Sequence, residues 1–171
     1  MRRNRKRNRK LGFDYATPGA YFVTACVKNR IKCLGQIKNK QMVLNSYGEI
    51  VKTQWLWLAT QYPYVKLDEW VVMPDHFHGI LIINNIPIDV PAPAGTGRDL
   101  SLRGRGQPTI IKIKSVSELM GAFKTTSSKL IHQSGFNEFA WQRSFHDHII
   151  RDDFAFHRIR EYIQNNPNKG T

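Results

Sequence analysis

The stretch Lys66-Leu67-Asp68-Glu69-Trp70-Val71-Val72-Met73-Pro74-Asp75-His76-Phe77-His78-Gly79-Ile80-Leu81-Ile82-Ile83 decides the fold of this chain. Two runs rich in β-branched and aromatic residues, 66–73 and 76–83, meet at a Pro-Asp step, which reads as two strands joined by a short connection. Upstream, Ala20 to Val27 (AYFVTACV) reads as a first strand, and Leu34 to Leu44 as a hairpin turning at Lys38-Asn39-Lys40. Asn45 caps a predicted helix to about Gln61, with Ile50, Val51, Trp55 and Leu58 on one face.

Downstream, Ser115 and Glu118 form a capping-box pattern that opens a helix to about Ser134. Val116, Met120, Phe123, Ser127, Leu130 and Ile131 share its core-facing stripe, and Lys124 and Lys129 fall away from it. After a turn at Gly135, Ala140 to Phe145 is expected as a strand. Asp152 and Asp153 introduce a last helix that stops at the Asn166-Pro167 step. Helices alternate with strands that join by hairpins, so the expected class is α+β, with helices packed on an antiparallel sheet.

The chain has 171 residues, 41% of them hydrophobic, enough for one domain with a real core. Its 26 Lys+Arg against 13 Asp+Glu give a net charge of +13, which points to a polyanionic partner. Nucleic acid is the leading candidate and an anionic membrane surface the alternative. Arg2, Arg3, Arg5, Lys6, Arg7, Arg9 and Lys10 are concentrated in a basic arm over residues 1–12, expected to be flexible and to bind DNA. Thirteen less these seven leaves +6, so residues 13–171, read as a single domain, are basic as well.

Between Asn84 and Lys114, four prolines and four glycines mark a long loop inside the domain. Its Gly95-Thr96-Gly97 lacks the third glycine of a dinucleotide fingerprint. No apolar run is long enough to span a bilayer, and no apolar segment follows the basic arm as in a secretory signal. Cys26 and Cys33 form no CxxC pair, which suits a reducing cytoplasm.

Strand alternation places His76 and His78 on one side and Phe77 in the opposite layer. Two imidazoles on a rigid strand make half of a metal site, and Gly79 is expected to leave room beside them. The competing reading makes this pair structural. His146-Asp147-His148 is a second pair with a charged middle residue, outside a clear apolar strand, and a structural histidine near a helix start is the plainer account of His148. In the last helix, Tyr162 and Asn166 stand four residues apart on one face, so an Asn166 carbonyl oxygen can approach a metal while Tyr162 approaches its substrate. Alternatively, Tyr162 continues the Phe156-Ile159-Ile163 core stripe.

Together these motifs resemble the single-tyrosine HUH transposases, and most closely the REP-associated tyrosine transposase branch. The resemblance runs through Gly19 to Thr24, Val71 to Gly79, Trp141-Gln142-Arg143 to Arg151, and Tyr162 to Pro167. The Tyr-x-x-x-Asn-Pro ending points to that branch, whereas insertion-sequence relatives usually carry Gln at the ligand position. The loop between Asn84 and Lys114 is longer than in that pattern.

The resemblance implies a ferredoxin-like sheet and a divalent metal, Mg²⁺ or Mn²⁺, bound by His76, His78 and Asn166. It implies Tyr162 as the nucleophile of a single-strand DNA endonuclease and strand transferase, working through a 5′-phosphotyrosine. The implied partner is single-stranded or hairpin DNA of the kind found in repetitive extragenic palindromes, with the protein as monomer or homodimer, near the nucleoid and without a protein partner. Lys124 and Arg143 are expected to touch phosphate, and His148 to be an accessory to it. A non-catalytic nucleic-acid-binding module with structural histidines is the alternative. A histidine-triad hydrolase would need a third alternating histidine where Ile80 stands.

Overall fold

The computed structural model describes residues 16–85 and 112–169. In chain order these form β1 (Gly19–Cys26), a 3-10 turn (Lys28–Arg30), β2 (Gly35–Lys38), β3 (Gln41–Leu44), α1 (Ser46–Gln61) and β4 (Val65–Val72). They continue as β5 (His76–Ile83), α2 (Val116–Gln133), β6 (His146–Ile150), α3 (Asp153–Gln164) and a last short turn, α4 (Asn166–Lys169). One four-stranded sheet has the order β4-β5-β1-β6, with every neighbouring pair antiparallel. With the separate β2–β3 hairpin set aside, β1-α1-β4-β5-α2-β6 is the βαββαβ order of a ferredoxin-like α+β fold, as expected.

Local chemistry sets the element ends. The Asn45 side chain accepts from the Tyr47 and Gly48 amides at 3.1 and 3.0 Å, which starts α1. Ser115 and Glu118 close the anticipated capping box at the start of α2. At its other end Gly135 takes φ 102°, and the Phe136 and Gly135 amides donate to the Ile131 and His132 carbonyls at 3.2 and 3.0 Å. That is the paired-bond C-terminal motif for which glycine is favoured.

The sheet separates two apolar layers. On one face Tyr21, Val23 and Ala25 of β1 and Phe77 and Leu81 of β5 pack under α1 and α2, against Val51, Trp55, Leu58, Leu119, Met120 and Phe123. On the other face α3 lies over Ile80, Ile150, Phe22, Val71 and Ile82 and adds Phe156, Ile159 and the buried Ile163. Phe77 thus projects away from the histidines, 4.6 Å from the Trp55 ring between centroids. Gly79 projects the same way: a Cβ there would come within 2.6 Å of the Trp55 ring and 2.9 Å of Phe77. The space that this glycine leaves is filled by the core, and the expectation of room beside the histidines is corrected.

Two strand assignments differ from expectation. Residues 140–145 form no strand; Trp141 makes only an isolated bridge to Val27. Its ring is buried, with Nε1–H donating to Ser127 Oγ at 3.0 Å, so the aromatic content there reflects a plug against α2 rather than pairing along the sheet. The strand begins instead at His146, and its pairing with β1 sets His146 opposite Thr24 and His148 opposite Phe22. Polar residues hid this strand because it lies at the sheet edge, where one side of each His is open to solvent. At the C-terminus, α3 closes at Gln164, two residues short of Asn166 at the expected stop, and the chain turns into α4 across the Asn166-Pro167 step. A proline in a first helical turn loses no helical hydrogen bond. The basic arm with Arg2, Arg3, Arg5, Lys6, Arg7, Arg9 and Lys10, and most of the 84–114 loop, lie outside the described residues.

Candidate active site

β5 leaves a turn closed by the Met73 amide on the His76 carbonyl at 2.8 Å and immediately presents His76 and His78 on the face covered by α3. Their rings sit 4.7 Å apart between centroids at 80°. Each imidazole is tied at Nδ1: His76 donates to Asp75 Oδ1 at 2.5 Å, and His78 shares a 2.7 Å bond with Thr24 Oγ1 on β1. The Nε2 atoms are therefore the ones turned to chemistry, the arrangement that outer partners give to metal-binding histidines. Phe22 stacks on His78 with centroids 5.4 Å apart, at 21°. Burial, assisted by His76 and the Arg30 cation and opposed by Asp75, brings the pKa of His78 down to about 3. His78 is thus neutral at physiological pH, as a metal ligand must be.

α3 delivers Tyr162 to the same place. The helix starts where Asp152 Oδ1 accepts from the Ala155 amide at 2.7 Å, and its apolar side is Ala155, Phe156, Ile159 and Ile163. Tyr162 is not part of that stripe: it is 40% exposed, with its hydroxyl 3.4 Å from His78 Nε2 and its ring edge-on to Phe22 at 6.0 Å.

Polar contacts hold the helix against β4. The β4–β5 register slips between Leu67 and Trp70, so Asp68 and Glu69 together oppose Ile80 in a β-bulge. Asp68 accepts from Arg160 Nε and Nη2 at 2.6 and 2.5 Å, and Glu69 from Gln164 Nε2 at 3.0 Å. The Arg160 hydrogen bonds hold the Asp68 carboxyl below the usual range, and the same guanidinium lies 4.6 Å over the Phe156 ring. This clamp, together with Thr24, Asp75 and Phe22, escaped sequence reading. Only the adjacency of Asp75 to His76 offered a signal.

Asn166 is 8% exposed and opens α4 beyond the end of α3, so it stands on the turn after the helix that bears Tyr162. Among the described residues, the hydrogen bonds and ring contacts of the cluster join Phe22, Thr24, Asp75, His76, His78 and Tyr162, without Asn166. No third His, Cys, Asp or Glu completes a metal-binding group among the described residues. Two imidazoles with ordered Nδ1 partners suit a divalent cation, and a neutral oxygen such as that of Asn166 is the kind of ligand left to complete it.

The outlying candidates separate. Lys124 donates to the Gln142 and Arg143 carbonyls at 2.5 and 3.1 Å, and burial lowers its pKa. Its ammonium braces backbone instead of facing solvent. Arg143 is exposed beside it, next to α2 and away from the histidine face. His146 and His148 are exposed on β6, and their pairing with Thr24 and Phe22 puts them on the same face as His78, not at a helix start.

No protein-family model matches the chain. An uncharacterized protein of Haemophilus influenzae (strain Rd) is 34% identical over 165 residues, spanning 96% of this chain and 88% of that one. Among solved structures, a REP-associated tyrosine transposase bound to a REP hairpin superposes with a TM-score of 0.58 at 18% identity, covering 96% of this chain and 74% of that chain. No helix among the described residues is long and apolar enough to cross a membrane. The chain belongs to one family with the Haemophilus influenzae protein, and it shares the fold of the REP-associated tyrosine transposase.

Proposed function

We propose that this protein is a REP-associated tyrosine transposase that cuts and rejoins single-stranded hairpin DNA through Tyr162. The observation that carries the reading is the Tyr162 hydroxyl, 3.4 Å from His78 Nε2 on an exposed edge of the histidine pair. A structural tyrosine would be expected within the apolar stripe of α3; this one stands outside it. The hairpin-bound structure of similar fold and the +13 charge support DNA as the substrate.

The Tyr162 oxygen attacks the scissile phosphorus as the phenol gives up its proton. The P–O3′ bond breaks, the 5′-phosphate stays on the tyrosine, and the 3′-oxygen leaves and gains a proton. Attack by a 3′-hydroxyl on the phosphotyrosine reverses this, so rejoining consumes no nucleotide. His78, with a pKa near 3, is too weak a base to deprotonate a phenol whose reference pKa is about 10. Its neutral Nε2 suits ligation instead. A bound Mg²⁺ or Mn²⁺, held by His76, His78 and Asn166, would supply positive charge for the phosphate and the developing phenolate.

The test uses REP-like hairpins from the genome that encodes the protein, labelled on the 3′ side of the cut, with Mg²⁺ or Mn²⁺. Wild-type protein retains the label through denaturing electrophoresis and loses this activity with chelator. Tyr162→Phe binds the hairpin within about twofold of wild type and captures nothing. Capture by Tyr162→Phe, or of label on the 5′ side, refutes the proposal. Binding without capture by wild type favours a non-catalytic module.

A further inference from the structure

Beside the histidine pair lies a loop that the strand-cleavage chemistry leaves unused. Lys28-Asn29-Arg30-Ile31-Lys32 follows β1 with three cations in five residues. Lys28, Arg30 and Lys32 are all exposed, and Ile31 is 50% exposed between two of them. Asn29 and Arg30 both take φ 57°, two consecutive left-handed residues without a glycine. The Asn39-Lys40 turn of the β2–β3 hairpin has the same pair of left-handed residues, and here too such a conformation persists only where surrounding contacts enforce it.

The enforcing contacts lead to the His76 turn. Val27 donates to the Asp75 carbonyl at 2.9 Å, and Cys33 and Leu34 donate to the Pro74 carbonyl at 2.9 and 3.0 Å. Lys28 donates to the Ala140 carbonyl at 2.8 Å. Both ends of the loop are thus pinned to the segment from which His76 emerges. At the tip, Arg30 Nη1 lies 3.5 Å from Asp75 Oδ2, whose other oxygen holds His76. Just over half of the Arg30 side chain is exposed, and its contact with Asp75 is loose. Guanidinium is the group best suited to phosphate oxygens.

We propose that the Lys28–Lys32 loop binds the phosphodiester backbone of the single strand entering the active site, with Arg30 on the phosphate nearest His76 and Lys28 and Lys32 on its neighbours. Ile31 offers apolar surface to an unpaired base between those contacts. The identity of the strand rests on the proposed strand-cleavage function; the cationic site itself does not.

Each phosphate neutralised on a single strand contributes about 0.7 to the slope of log affinity against log salt. Loss of three contacts flattens the slope by about 2, so the loss of affinity between 50 and 200 mM salt shrinks about twenty-fold. The experiment measures binding of a labelled hairpin with an unpaired flank across that range, in chelator. It compares wild type with Lys28→Gln/Arg30→Asn/Lys32→Gln, asparagine being chosen because it tolerates a left-handed φ. A charge-matched control, Lys38→Gln/Lys40→Asn/Lys129→Gln, removes exposed cations elsewhere, with asparagine at the left-handed Lys40.

The loop variant is expected to flatten the slope by about 2 and the control by less than 0.7, with Arg30→Lys close to wild type in slope. An unchanged slope in the loop variant, equal flattening in the control, or the same loss on a blunt duplex overturns the proposal. Covalent capture of label with Mn²⁺ is scored in parallel. Capture with an unchanged slope removes the loop and keeps the nuclease; a loop-dependent slope without capture by wild type does the reverse.

Discussion

The histidine that lies under Tyr162 should make the metal-free protein acid-sensitive in a way that one substitution removes. His78 titrates near its ordinary 6.5 in the unfolded chain but only near 3 in the folded one, mainly through burial. Between those values the unfolded chain binds a proton that the folded chain refuses. The stability linked to His78 is therefore present in full above about pH 6.5, falls as pH drops, and is fully lost near pH 3. At pH 5 the gap of about 1.5 between 6.5 and the solution pH corresponds to about 2 kcal/mol, and the whole interval to about 5 kcal/mol. The assay is urea denaturation in chelator at pH 7 and pH 5, for wild type and for His78→Asn, whose amide can still meet the Thr24 hydroxyl. With a urea dependence of about 1–3 kcal/mol per molar, wild type should lose about 1 M more in midpoint than the variant. Carboxylates such as Asp68, held low by Arg160, are common to both proteins and cancel. Equal pH dependence in the two proteins would show that the imidazole is not held neutral by its site. The argument that His78 is a ligand and not a base would fall with it.

Asp68→Asn should lower the rate of covalent capture more than tenfold while hairpin affinity stays within about twofold, because the bidentate contact of Arg160 orients α3 without facing the expected DNA path. The exchanged pair Asp68→Arg/Arg160→Asp should recover part of the rate, and a parallel loss of affinity would contradict the positioning role. Gly79→Ala should cost about 1–3 kcal/mol and lower Tm by several degrees in a thermal scan, since the new methyl meets the Trp55 ring; a neutral result would mean that the core opens easily there. Lys124→Met keeps the stem but strips two carbonyls of their donor, so about 1–2 kcal/mol of stability should go in denaturant titration with the salt slope of DNA binding unchanged.

The parts of the fold that showed in the sequence are those where one local rule dominates. The Asn45 and Ser115 caps, the apolar run of β5 and the α2 stripe each declare an element through their own residues. β6 did not, because His146, Asp147 and His148 carry no apolar alternation and its pairing with β1 crosses more than a hundred residues. The site divides in the same way. His76 and His78 were readable as a same-face pair from strand periodicity, whereas the helix alone left Tyr162 open between core stripe and nucleophile and only the family resemblance singled it out. The bonds that tie their ring nitrogens and seat the helix come from Thr24, Asp75 and Asp68; Asp75 is the neighbour of His76, but the roles of Thr24 and Asp68 arise only when distant segments meet. At Lys124 the place off the α2 stripe was legible, but the 142–143 backbone that folds over to meet its ammonium was not.

The two halves of the candidate site are held by layers of different strength, and this bears on how it works. His76 and His78 alternate along β5 with Phe77, Gly79, Leu81 and Ile83, all buried, so any shift of the imidazoles would have to move the main core. Tyr162 rides on a helix that itself buries only Ile163 and otherwise depends on Arg160, Gln164 and half-buried apolar contacts. Elements with few buried contacts open locally at lower free energy than the core. The tyrosine can therefore leave its 3.4 Å approach to His78 while the histidine platform stays intact. In the proposed reaction, a nucleophile that becomes covalently attached to DNA and must later release it at a different strand end has use for such freedom. Hydrogen exchange at the α3 amides, faster than at β5 by the difference in opening free energy, would give that freedom a measured size; equal protection of the two elements would mean that nucleophile and platform move only as one body.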